Sequence, residues 1–278
     1  MRFLPLQCFF FLLFLGNSAA QIGYRLVNGG QSAGMSNAIS AVASADAVFQ
    51  NPASLIYMYR PTLTVATEMR LGVKELRPIA IGFIQPTQSG VFGFSLQHFG
   101  FSAFQQQKLA AAYARRFSEK ISVGIQLDYL HLQAPDYGNA HLLTFEIGCN
   151  TLITKDLTLA VYVFNPLGVR LGESEKTPSV FRLGAAYSVN KYVVLAAEIE
   201  KSIIDAPNFC FGFEYKVAET VTVRCGFSSL PTSFSVGIGY FLSHNCVINL
   251  ALSHQSLIGS TPSVSLNYAF GKEKSEAH

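Results

Sequence analysis

The side chains best suited to chemistry in this chain stand at alternate positions of short apolar blocks. Arg182, Glu198, Glu200, Glu214 and Arg224 share one parity in successive blocks. Charges of both signs on one face of neighbouring strands can pair across a sheet, as a structural ladder filling an interior or as the wall of a substrate path. The histidines, His98, His131, His141, His244, His254 and His278, are scattered, mostly near block ends. No GxSxG elbow, HExxH pair or phosphate-binding loop occurs, and metal ligands are not clustered. Catalytic residues, cofactors and metals are therefore not expected, because activity has to be argued from a site and none stands out. The formal net charge of +3 is small and dispersed, which argues against nucleic acid as a partner.

The elements that position these residues follow from composition. Met1-Arg2, the apolar run "FLPLQCFFFLLFLG" and the small residues Ser18 and Ala20 read as a secretory signal peptide over residues 1–20. Half of the residues are hydrophobic, only 13% are charged, and mean hydropathy is +0.30. Such values suit a membrane protein, yet beyond Ala20 no apolar run approaches the roughly 18 residues of a spanning helix. The closed β-barrel is the other structure that satisfies its backbone within lipid. Of the cysteines beyond the leader, Cys149, Cys210, Cys225 and Cys246, none forms a CxxC pair. Cys210 and Cys225 have opposite parity on neighbouring blocks, so no disulfide is expected between them.

From Pro61 onward the chain alternates. In "FGFEYKV" and the residues before it, Phe209, Phe211, Phe213 and Tyr215 face one way and Asn208, Gly212, Glu214 and Lys216 the other. "VTVRCGF", "SFSVGIGYF" and "SVSLNYAF" repeat the pattern, which marks strands with one apolar and one small or polar face. About fourteen such blocks span residues 59–271, each near the 9–11 residues of a transmembrane strand. Connectors after even-numbered blocks, such as "SEK", "VNK", "VAE" and "SHN", are mostly tight. Those after odd-numbered blocks, such as "GFSAFQ", "QAPDYGN" and "NPLGVRLGESEKTP", are mostly longer, with "TLITKD" and "SLP" breaking the rule. Short turns on one side and long loops on the other are typical of an outer-membrane barrel. Tyr113, Tyr187, Tyr215, Tyr240 and Tyr268 fall near the ends of even-numbered blocks with the apolar parity, the placement of an aromatic girdle at the short-turn interface. A sandwich core gives buried tyrosines no reason to collect there. The expected fold is all-β, a transmembrane antiparallel barrel with a polar tail at 272–278.

Residues 21–58 do not alternate. "SAGMSNAISAVASADAVFQ" is rich in Ala, Ser and Gly, and Asn51 precedes Pro52 as a helix cap precedes a first helical residue. On chemistry alone, a plug folded within the barrel and a small-residue linker with one helical turn fit this segment alike. "GQSAGMSNAISAVASADAVFQNPASL" resembles the N-terminal motif of the FadL superfamily of outer-membrane barrels, through its Gly/Ala-rich run, Asp46, and Asn51-Pro52-Ala53. That superfamily includes long-chain fatty-acid transporters and the PorV/PorQ proteins of type IX secretion. The resemblance implies a fourteen-stranded barrel with an N-terminal helical plug inside. It also implies non-enzymatic passage or holding of hydrophobic small molecules, or, as the alternative, an accessory role in type IX secretion or surface assembly. The chain departs from the pattern in its short external connectors and in Phe270, an aromatic followed by "GKEKSEAH". The location expected is the bacterial outer membrane, after leader cleavage and export to the periplasm. The partners expected are outer-membrane lipid, a hydrophobic small-molecule ligand and, on the alternative, secretion-system proteins.

Overall fold

Period-2 alternation sorts the side chains of this chain onto the two surfaces of one sheet, and the sheet closes on itself. The computed structural model describes residues 24–101, 104–134, 138–171, 175–203, 205–256 and 259–271. The signal peptide expected over residues 1–20, the first plug residues 21–23 and the polar tail at 272–278 lie outside the described residues. The first seven strands are β1 (Thr62–Glu68), β2 (Ile79–Pro86), β3 (Val91–Phe101), β4 (Phe104–Arg116), β5 (Ile121–Ala134), β6 (Gly138–Leu152) and β7 (Leu157–Phe164). The second seven are β8 (Val180–Asn190), β9 (Val193–Ser202), β10 (Asn208–Ala218), β11 (Val221–Ser229), β12 (Thr232–Ser243), β13 (Cys246–Gln255) and β14 (Gly259–Ala269). Every strand pairs antiparallel with its sequence neighbours, and β1 closes the ring against β14, with Thr62 opposite Ala269 and Glu68 opposite Ser263. A pair of two-residue strands, Arg170–Leu171 against Glu175–Lys176, forms a separate small sheet in the β7–β8 connector. No helix among the described residues is long and apolar enough to cross a membrane.

Two of the connectors expected to be long are mostly strand. β3 and β4 remain paired out to Phe101 opposite Phe104, and β5 and β6 out to Ala134 opposite Gly138. Antiparallel neighbours go on exchanging hydrogen bonds as long as both chains stay extended, so these hairpins stand taller than a lipid-matched strand. "TLITKD" in turn obeys the short-turn rule, because Thr151 and Leu152 belong to β6 and only four residues connect it to β7.

The outer surface carries the apolar parity. Phe209, Phe211, Phe234, Val236, Ile238, Val264 and Leu266 are all exposed, as residues facing lipid must be. The opposite parity is buried against residues 24–58, which run through the barrel from the long-connector end to the short-turn end. Tyr24 packs on Leu130, Leu132, Leu142, Phe164 and Val180, near the long-connector ends of β5 to β8. At the other end Leu55, Val48 and Phe49 pack on Val91, Ala112 and Ala114. The wall makes room for this segment with glycine. A Cβ added at Gly124 would lie 2.3 Å from the Pro52 carbonyl carbon, and one at Gly226 2.5 Å from that of Met35. Real Cβ atoms do not approach so closely, so these positions need a residue with no side chain.

The two faces of β10 should respond oppositely to charge. Phe211→Lys places an ammonium in lipid and should cost on the order of 2–4 kcal/mol near the midplane, enough to impair assembly. Glu214→Gln, on the lumen face, should assemble normally. The check is heat-modifiable migration on a denaturing gel, where a folded barrel runs differently before and after boiling.

Candidate functional site

The segment inside the barrel is a chain of short helical pieces held together by side-chain caps. α1 (Gly30–Gly34) is one turn, and two 3₁₀ turns follow at Ala45–Phe49 and Pro52–Tyr57. Asp46 Oδ2 accepts from the backbone N–H groups of Gln31 and Ser32, each at 3.1 Å, and so ties the second piece to the start of the first. Gly29 precedes α1 at φ 85°, and a Cβ there would collide with the Asp46 carboxyl, 2.3 Å from its Cγ. Ser44 caps the second piece by accepting from Asp46 N–H at 3.0 Å, and its hydroxyl donates to Gln31 Oε1 at 2.9 Å. Burial pushes the Asp46 carboxyl up to about 6, although the two N–H donors and Arg224 favour its charged form.

Asn51 joins segment to wall. Its Oδ1 accepts from Ala53 N–H at 3.0 Å, with Pro52 at the first helical position. Its Nδ2 donates to the Ser40 carbonyl at 2.8 Å and to Asn150 Oδ1 of β6 at 3.0 Å. Asn150 Nδ2 donates to Ser54 Oγ at 2.8 Å, and that hydroxyl donates to the Ser40 carbonyl at 2.7 Å, closing a buried ring of polar contacts. Gly148 of β6 lies against this ring, where an added Cβ would be 2.0 Å from Asn51 Oδ1.

Arg182, Glu198, Glu200, Glu214 and Arg224 all face the lumen, in two groups rather than one continuous ladder. Arg182 pairs with Glu198 and lies 3.7 Å from Glu200, while Arg224 pairs with Glu214 at 2.6 Å. The inner segment completes both groups. Arg182 Nη2 donates to the Asn37 carbonyl at 3.0 Å, and Glu198 accepts from Ser40 N–H at 3.0 Å and from the Ser40 hydroxyl. Glu200 accepts from Tyr24 Oη at 3.0 Å and pairs with Arg25. Glu214 accepts from Gln31 Nε2 at 3.1 Å, and Arg224 donates to Asn249 Oδ1 at 2.9 Å. Cross-strand parity placed these residues on one face. That their partners lie in the segment before the barrel could not be read from spacing.

A third charged group lies on the lumen face. Lys108 of β4, Asp128 of β5 and Glu146 of β6 meet on the lumen face, with Lys108 Nζ 2.5 Å from Glu146 and 3.5 Å from Asp128. The signal was present, since all three share the lumen parity of adjacent strands. It was hidden among the Gln, Thr and Leu residues of the same blocks.

Tyr113, Tyr187, Tyr215, Tyr240 and Tyr268 all point outward near the short-turn ends of β4, β8, β10, β12 and β14. Tyr113 donates to the Ser89 carbonyl at 2.8 Å, and its ring lies 4.9 Å from that of Phe92. Toward the opposite end, the rings of His131 and His141 stack at 4.7 Å and Tyr129 Oη lies 2.7 Å from His141 Nδ1, a cluster that the scattered histidines of the sequence did not suggest. Cys210 faces the lumen and Cys225 the lipid, as parity requires. A concavity of about 680 Å³ opens on the outer wall, lined among others by Phe211, Phe213, Phe227 and Phe234. Met35 packs behind it, against Gly212 and Gly226. Among the described residues no three or more His, Cys, Asp or Glu side chains converge as a metal site would require.

A closed fourteen-stranded antiparallel barrel, apolar outside and packed inside by its own N-terminal segment, defines the class: a plugged transmembrane β-barrel. The fold is that of the FadL-type outer-membrane transporters. The chain is similar to the toluene transporter TbuX of Ralstonia pickettii, with a TM-score of 0.70 and 14% identity, over 87% of this chain and 98% of that one. A FadL homologue of Pseudomonas aeruginosa gives a TM-score of 0.68 and 12% identity over 88% and 99% of the two chains. The Pseudomonas putida toluene transporter TodX gives 0.65 and 14% over 88% and 99%. No family profile matches the sequence, and no curated protein matches it.

Two variants probe the inner segment. Asn51→Ala removes a cap worth about 1 kcal/mol and leaves Asn150 Oδ1 without its Asn51 donor. The barrel should still assemble and remain heat-modifiable, while protease cutting between Tyr24 and Tyr59 should become faster. Asp46 gives the same segment a pH dependence. Its carboxyl takes up a proton more readily when packed than when free, so packing is favoured below the free carboxyl range and weakens as pH rises through about 6. Protease protection should be greater at pH 5 than at pH 8, and Asp46→Asn should remove the difference.

Proposed function

We propose that this protein is a non-enzymatic barrel of the bacterial outer membrane that passes or holds hydrophobic small molecules by diffusion. The observation that carries the reading is the filling of the lumen. Apolar clusters occupy both ends of the plug, around Tyr24, Tyr162 and Phe164 at one and around Phe49, Leu55 and Ile84 at the other. Those two ends suit a molecule that partitions into apolar surroundings, while the charged pairs between them hold the plug to the wall. The FadL-type fold, shared with two toluene transporters, supports the same reading. In this reading Asp46, Asn51, Pro52 and Ala53 keep the plug in place. The charges at Arg182, Glu198, Glu200, Glu214 and Arg224 hold it to the wall, and the five girdle tyrosines set the barrel's depth at the periplasmic interface. The signal peptide over residues 1–20 delivers the chain for export.

Expression of the full chain in an outer-membrane host lacking such barrels should raise the initial rate of labelled toluene uptake several-fold over empty vector. Asn51→Ala should change that rate further. Equal rates with and without the barrel would overturn the reading. If deletion from the native cell left uptake intact but stranded surface proteins in the periplasm, the type IX secretion alternative would take its place.

A further inference from the structure

The outward-facing side chains of β3 to β6 change character along the barrel axis, row by row. Leu96, Leu109, Tyr129 and Leu143 stand opposite one another across the four strands and are all exposed, as a wall in hydrocarbon has to be. Two residues further toward the long-connector end, the same register aligns His98, Gln107, His131 and His141. Beyond them Gln105, Gln133 and Asn139 line up on β4 to β6. Rows two residues apart are separated by about 7 Å, so the wall passes from leucine to imidazole to amide within about 14 Å. Hydrocarbon offers no partner to an imidazole or an amide, and the edge of the lipid core therefore falls at the histidine row.

That row is a surface of hydrogen-bond donors. The rings of His131 and His141 stack at 4.7 Å with 6° between their planes. Tyr129 Oη lies 2.7 Å from His141 Nδ1; with the phenol donating, Nε2 keeps the ring proton and remains a donor. An imidazole near neutral pH donates in either of its states and adds positive charge in one of them. Gln107 places an amide between His98 and His131. His98 and His141 are exposed, and Gln107 and His131 half-buried. Across three strand spacings the row is on the order of 14 Å wide, more than a single phosphate covers.

Cations flank the row on the β3 side. Ile79 stands opposite His98, and Arg77, two residues before it in extended backbone, is exposed. The turn Lys74–Leu76 lies beside β3 and brings Lys74, also exposed, to the same edge, with Glu75 as its acidic neighbour. A guanidinium and an ammonium beside a row of donors, at the edge of hydrocarbon, suit an anion tethered to an acyl chain. A phosphate fits best, because its oxygens accept several hydrogen bonds at once and those to a cation are the strong ones. His254 gives the contrast: it faces outward at the same end of β13, but stands opposite Phe234 and lies 3.0 Å from Ser260 Oγ.

We infer that the outer face of β3 to β6, at the long-connector end, binds the phosphate-bearing headgroup of an outer-leaflet lipid through His98, Gln107, His131, His141 and Arg77. The surface continues the lipid-facing wall, and short turns on the periplasmic side put this end in the outer leaflet. The inference rests on the outer-membrane location and not on the passage of hydrophobic molecules. The assembled full chain in neutral detergent is incubated with bisphosphorylated lipid A, or with the same lipid A stripped of both phosphates. Native mass spectrometry then counts the lipid retained per barrel. The phosphorylated form should be retained at least about fivefold more tightly, the effect of a single cation on an anionic headgroup. His131→Ala combined with His141→Ala should bring the ratio below about twofold, and His254→Ala should leave it unchanged. Equal retention of the two lipids by the wild-type chain overturns the inference, as does a ratio that the double variant leaves intact or that His254→Ala abolishes equally. If the double variant does not assemble, as read by heat-modifiable migration, Arg77→Gln in the connector takes its place. It should lower the ratio at least about twofold, and an unaltered ratio there overturns the inference too. Failure of toluene uptake would remove the passage reading alone and leave the lipid retention standing.

Discussion

Hydrocarbon offers no hydrogen bonds, so every backbone N–H and C=O that enters it has to find a partner within the protein. The remaining architecture follows from that constraint. With no spanning helix among the described residues, the strands pair with one another, and the last has to pair with the first. Closure sets the side chains into two surfaces with opposite solvents. Phe211 and Gly212, adjacent in sequence, end up facing lipid and plug respectively.

A barrel of fourteen strands encloses more space than its own inward side chains fill when many of those are Gly, Ala and Ser. The N-terminal segment occupies that space, held by a different balance of forces from the wall. Its pieces are single helical turns, too short to be stable alone, so their end groups are satisfied by Asp46, Ser44 and Asn51 and by carboxylates of the strands. Apolar contacts form clusters at both ends and a third around Met35, Ile39 and Val42, and polar ones run between Ser40, Asn51, Asn150, Arg182 and Glu198. Hydrogen bonds of this kind exchange for water at a net cost of about 1 kcal/mol each, whereas the wall can give up its ladder only by exposing backbone to lipid. The plug is thus the separable part of the molecule, and the wall the permanent one.

The two ends of the barrel differ for the same reason. Tight turns and outward tyrosines at one end fit an interface at which the chain only has to reverse. At the other, β3 to β6 continue past the lipid-matched length, and Asn165 (φ 51°) organises the β7–β8 connector by accepting from Thr144 Oγ1 and Val169 N–H and donating to the Thr177 carbonyl. This end also holds Tyr24, Arg25 and Glu200, so the plug's first described residues and the wall's charges meet at the long-connector end.

The sequence by itself determined the class of fold, the number of strands and the face on which each side chain lies. Parity is a local property: once Phe209 faces lipid, so must Phe211 and Tyr215, whatever the partner strands do. The cap at Asn51 was legible for the same reason, since Pro52 restricts its neighbour and fixes the start of a helical turn. Only the tertiary structure decided what meets inside. Lys108, Asp128 and Glu146 lie on three strands, and Glu198 finds Ser40 across more than a hundred and fifty residues of chain. Gly124 and Gly148 read as small residues in a strand until the plug is seen pressed against them. Closing a sheet converts a list of inward-facing residues into neighbours across a lumen. Which of them touch depends on the path of a plug whose own sequence, short of apolar periodicity, carries no record of the wall it rests on.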